Sequence, residues 1–180
     1  MKKILLLLFI LVAIGLYSQS TVGQFIGIDA TGHVTVPVVF HAYGGFQDST
    51  TTIACGAGDW NHITNDYGTL WTLIEADGFT ISGDEITVVN AGDYGGSFAI
   101  SMSSLNTKDF HIRCYNTTQA SVMGVALGIS TRGANDEVTL TIPIYVEDNA
   151  MDVIRFEISS ADGTDPVIED GVFILTYLHD

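Results

Sequence analysis

The segment Gly95-Gly96-Ser97-Phe98-Ala99 comes within one residue of the Gly-x-Ser-x-Gly nucleophile elbow. That motif activates serine only on a sharp strand-to-helix turn, and no helical pattern follows Ser97. His33, His41, His62, His111 and His179 lie on separate segments, without the His-x-His or His-Glu-x-x-His spacing that presents two metal ligands on one face. They read as surface or capping imidazoles. The carboxylates are equally scattered, and among 21 acids some pair falls within glycosidase distance by chance alone. No catalytic residue, cofactor site or metal site is therefore assigned, and the chain does not read as an enzyme.

Weaker signals remain. Asp162-Gly163-Thr164-Asp165-Pro166 with Glu169-Asp170 is the densest acidic stretch. Its oxygens are of the kind that hold Ca²⁺, but the spacing is not that of an EF-hand, and a solvated turn explains it as well. Trp60, Tyr67 and Trp71 stand among Asn and Asp, the make-up of a sugar-binding surface as well as of a core. Asn116-Thr117-Thr118 is a glycosylation sequon, meaningful only in a eukaryotic secretory route. Cys55 and Cys114 permit one disulfide in an exported protein, and equally two free buried thiols.

The elements that would position these residues are strands. Apolar residues recur at every second position: Tyr94, Phe98, Ile100 and Met102; Phe110, Ile112 and Cys114; Val138, Leu140, Ile142, Ile144 and Val146; Ile154, Phe156 and Ile158. The intervening positions are mostly polar, so one face of each strand is buried and one is wet. Val34 to His41 alternates likewise, with Pro37 favouring an edge. Turn clusters rich in Gly, Asn and Asp separate the runs, at Ser82-Gly83-Asp84, Asn90 to Asp93, Thr131 to Asp136 and Ala161 to Pro166. Many short strands without helices predict an all-β, two-sheet antiparallel sandwich or jelly roll.

Residues 1–18 read as a signal peptide: Lys2-Lys3, an apolar run from Ile4 to Ile14, and an exit at Tyr17-Ser18 that leaves Gln19 as the new terminus. The run is short for a membrane span, so contact with a membrane is expected only if this segment stays uncleaved. With Lys2 and Lys3 removed, four basic residues face 21 acids, a mature net charge of −17. Nucleic acid is excluded as a partner, because phosphate neutralisation needs clustered Lys and Arg. Residues 19–50 read as an N-terminal segment or first strands, and 51–180 as the compact domain.

Four features of the compact region resemble a known family, the trimeric jelly rolls typified by the complement globular head and tumour necrosis factor, which also occur on bacterial surfaces and phage fibres. They are Phe79 to Tyr94 with the long alternating strand to Ser103; the polar-outward strand Phe110 to Tyr115; the pair Val138 to Val146 and Asp152 to Phe156; and the apolar aromatic strand Phe173 to Leu178. At one turn the family has Gly-Asp and this chain has Met151-Asp152. The resemblance implies a TNF-like jelly roll, a homotrimer, and binding or structure without catalysis. It also implies a place for the run Val172 to Leu178, which is apolar on both faces. One face fills the sandwich and the other meets the three-fold axis. We expect the axis set to be Phe173, Leu175 and Tyr177, with Tyr94 nearby, since Tyr and Phe are enriched at interfaces. The functional expectation is a secreted or surface-displayed module for adhesion, recognition or fibre-tip structure, with a glycan or protein ligand on a cell surface. A monomeric carbohydrate-binding module and a phage virion fibre or spike protein are the alternatives.

Overall fold

The computed structural model describes residues 27–28, 34–35, 41–47, 49–65 and 68–179. The expected signal peptide, the Gln19 terminus, His33, Pro37 and Tyr67 lie outside the described residues. The chain divides into two compact units, Met1–Val38 and Val39–Asp180. In the first, β1 (Gly27–Ile28) and β2 (Val34–Thr35) pair antiparallel. All other described strands belong to the second unit. They are β3 (His41–Phe46), β4 (Thr51–Thr52), β5 (Trp60–His62), β6 (Thr72–Asp77), β7 (Phe79–Ser82), β8 (Glu85–Val88) and β9 (Gly92–Ser103). After them come β10 (Asp109–Asn116), β11 (Ser121–Val122), β12 (Leu127–Ser130), β13 (Val138–Asp148), β14 (Val153–Ser160) and β15 (Val167–His179). No helix occurs among the described residues.

These strands make two antiparallel sheets. One is six-stranded in the order β13-β9-β15-β3-β6, with β4 beside β15; the other is seven-stranded in the order β11-β10-β14-β8-β7, with β12 on β10 and β5 on β14. Sequence neighbours are repeatedly split between the sheets, which is the wiring of a jelly roll. Because β3 is a strand of the six-stranded sheet, the sandwich begins inside the 19–50 segment.

The alternation read from the sequence sets what lies between the sheets. Phe98, Ile100 and Met102 of β9, Ile142 and Ile144 of β13, Ile112 and Cys114 of β10, and Ile154, Phe156 and Ile158 of β14 are all buried. Gly96 shares the inward phase of β9, and its lack of a side chain is required, since a Cβ there would come within 1.9 Å of the Ile174 carbonyl oxygen of β15. At the centre Phe98 stacks on Phe156 at 4.0 Å between ring centroids, joining the sheets, and Trp71 packs edge-on or tilted against Phe46, Phe98, Phe156 and Phe173.

Trp71 precedes β6 in an irregular segment and is anchored from the β7–β8 hairpin. Gly83 and Asp84 both have positive φ, 62° and 60°, the conformation a two-residue hairpin turn demands. Asp84 is buried. Its carboxylate accepts hydrogen bonds from the Leu70 and Trp71 amides at 3.0 and 2.8 Å and from the Thr64 hydroxyl at 2.6 Å. The indole NH of Trp71 reaches the Ile63 carbonyl at 2.9 Å.

Candidate functional site

The largest feature unexplained by the core is the outward face of the six-stranded sheet. Strand pairing places Pro143, Ser97, Ile174, Tyr43 and Glu75 in one row across it, with Tyr145, Gly95, Thr176 and His41 in the next. Outward positions of a half-wet sheet are ordinarily polar. Here Tyr43 is 38% exposed, Tyr145 58%, Ile174 47%, Leu178 48% and Ile74 66%. Leu178 lies at a bulge and covers Gly95, bringing it beside Tyr145. The other large exposed apolar residues, Val89, Leu105, Val122, Val125 and Met151, are scattered over turns and the short β11.

This arrangement reverses the two faces expected for β15. Phe173 and Leu175 are fully buried between the sheets, and so is Tyr94, whose ring meets Phe79 and Tyr177 and whose hydroxyl donates to the Asn90 carbonyl at 2.7 Å. Tyr177 shares their phase and packs half-buried against the core. Burying one Leu or Phe side chain stabilises by roughly 1.5–3 kcal/mol, so this set is committed to the fold of the single chain. The set that faces outward is Val172, Ile174, Thr176 and Leu178. Tyr43 lies in the 19–50 segment, read only as an N-terminal segment or first strands, where no alternation marks its phase, while Tyr145 carries a signal as a large ring on an otherwise Thr- and Pro-bearing phase.

Among the aromatics proposed for a ligand, Trp71 is the core residue described above and presents no surface. Trp60 is half-buried on the outward face of the seven-stranded sheet, where the Arg113 guanidinium lies between its ring and that of Tyr115, 4.1 and 4.2 Å from the two centroids. Beneath them Glu157 is buried and accepts from Arg113 at 2.6 Å and from Arg155 at 2.7 Å; Arg155 also reaches Glu85 at 3.6 Å. Two cations and two anions in one network balance, and one ring face of Trp60 is taken by the guanidinium.

The remaining candidates are engaged in structure. Asp162 pairs with Lys108 and accepts from Ser160; the Lys108 ammonium holds its carboxyl well below the usual carboxylate range. Asp165 accepts the Cys55 amide at 2.8 Å and Glu169 the Ser103 hydroxyl at 2.9 Å. Among the described residues no three His, Cys, Asp or Glu side chains converge as a metal would need. Ser97 lies mid-strand between Pro143 and Ile174. Cys55 and Cys114 are buried and not joined in a disulfide; burial, reinforced by the Asp165 charge, pushes the Cys55 thiol up to about 11, so it stays protonated and unreactive at neutral pH. The sequon residue Asn116 is fully buried and donates to Asp152 at 2.9 Å.

Comparison with solved structures gives the fold. The chain is similar to PRD1 vertex protein P5, with 13% identity over 90% of this chain and 85% of that one and a TM-score of 0.54. It is similar to Eiger TNF from S. frugiperda, with 11% identity over 80% and 95% of the two chains and a TM-score of 0.52. The globular domain of zebrafish complement 1qA protein shows 14% identity over 78% and 96%, with a TM-score of 0.50. The architecture is thus a TNF-like jelly roll. No protein-family model and no curated protein matches the chain.

Proposed function

We propose that this chain is an exported, non-enzymatic jelly-roll module that assembles through the outward face of its six-stranded sheet into a homotrimer serving adhesion, recognition or fibre-tip structure. The carrying observation is the grouping of Tyr145, Ile174 and Leu178 toward the end of β15 on that one face. A contiguous apolar surface of this kind marks an interaction site, whereas single exposed apolar residues need no explanation. The trimeric state is what the family resemblance implies, and the jelly-roll wiring supports it. The signal peptide at 1–18 supplies export, and in this reading the mature chain starts at Gln19.

A second setting, the virion, is favoured by one observation: the vertex protein P5 of PRD1 aligns over 90% of this chain, including more of it than the TNF and complement structures do. Self-assembly through the same face serves either setting. The experiment is native mass spectrometry of the protein recovered from envelope or culture fluid of an expressing bacterium. We expect three copies of a chain beginning at Gln19. A chain retaining Met1 would overturn export by cleavage, and a monomer would overturn assembly.

A further inference from the structure

The outward face of the six-stranded sheet has two halves of different relief. Toward the end of β15 it is apolar, the part assigned above to assembly. Toward the start of β15 it sinks into an open trough of about 680 Å³. The floor is low because the residues that face outward there are small: Ala99 of β9, Val172 of β15 and Gly45 of β3 stand side by side. Gly45 has no room for more, since a Cβ would come within 2.4 Å of the Gly171 carbonyl oxygen. Tyr43 forms one wall. Phe46 and Ile74 also line it, so its surface is largely apolar, while Gln47, Thr72, Asp170, Ser101 and Thr139 bring polar side chains to it; the Ser101 and Thr139 hydroxyls bond each other at 2.7 Å.

We propose that this trough binds a neutral saccharide. Its volume lies in the roughly 300–1,000 Å³ range of small-ligand sites. An aromatic wall takes the C–H face of a sugar ring, and an amide, a carboxylate and paired hydroxyls, each able to donate or accept as its type allows, match the ring's hydroxyls. No Lys, Arg or His is among the lining residues, and the chain has a formal net charge of −15, so a phosphate, sulfate or carboxylate ligand finds no counter-charge. The trough replaces Trp60 and Trp71 as the place where a glycan is met.

The test is a binding screen of the full mature protein against immobilised neutral and acidic oligosaccharides, followed by titration of the best neutral one. We expect neutral sugars to be retained and sialylated or sulfated ones not. Tyr43→Ala and Gln47→Ala, both at exposed positions, should each weaken binding about tenfold or more, while Trp60→Ala and the assembly variant Ile174→Asp leave it within twofold. Absence of binding to any neutral saccharide at millimolar concentration overturns the proposal. So does loss in Trp60→Ala with retention in Tyr43→Ala, or a preference for acidic glycans. Because binding and mass are read separately, failure here leaves the assembly reading standing.

Discussion

Asp152 is a buried carboxylate whose surroundings decide its charge. Burial raises its pKa, but hydrogen bonds from the Asn116 side chain, the Asn149 amide and the Gln119 side chain outweigh burial and hold the group below the usual carboxylate range. A pKa lowered by folding means that the stabilisation is complete above the unfolded value of about 3.9 and drains away as pH falls through the folded value. Asp152→Asn should therefore cost roughly 2–3 kcal/mol at pH 7, where it leaves mismatched buried donors, and progressively less below pH 4. Melting curves of the two proteins between pH 7 and pH 2.5 check this; a constant gap between them would show that the charge does not matter. Neither Asp152 nor Asp84 stands out in the sequence, where both sit in turn clusters that look solvated. Their importance comes from distant donors, at Asn116 and Gln119 for one and at Leu70 and Trp71 for the other, which only folding brings close.

At the scale of the element, the half-wet strands were readable. The inward residues of β9, β10, β13 and β14 follow from period-two alternation against polar partners, because each has only one face fit for burial. In β15 both phases are apolar, so alternation marks the strand but leaves open which set faces in; the aromatic set went to the core because Phe173 completes the cluster around Trp71 and Phe156. Trp71 reads from the sequence as a core or a sugar-binding aromatic, and the choice stays open there because it precedes β6 in a segment without periodicity. The β13–β14 turn shows the opposite case, a departure from the family pattern that the backbone absorbs. Met151 stands where the family has glycine and takes φ of 69°, a left-handed conformation that costs a non-glycine residue about 1–2 kcal/mol. Its side chain is exposed, so little packing is lost on removing it. Glycine returns some of the gain by loosening the unfolded chain, by about 0.4–1 kcal/mol. Met151→Gly should raise the melting temperature by about 2–4 °C, measured by scanning calorimetry. A lower melting temperature would mean that Met151 makes contacts that outweigh its backbone strain.

For the whole molecule, charge and apolar surface pull in opposite directions. A chain with a formal net charge of −15 repels its copies, and this favours the monomer; the apolar half of one sheet face favours association. Repulsion between exposed charges is screened over roughly 8–10 Å at moderate salt, whereas apolar burial is not, so association should win at physiological ionic strength. Light scattering of the purified protein, alongside Ile174→Asp and the outward-face control Trp60→Asp on the opposite sheet, tests this most directly. The account predicts three times the monomer mass for the wild type and for Trp60→Asp, and a folded monomer for Ile174→Asp, since Ile174 is half exposed in the single chain and three carboxylates would be brought together in the assembly. A wild-type protein that remains monomeric at physiological salt, or an Ile174→Asp variant that remains trimeric, would contradict it.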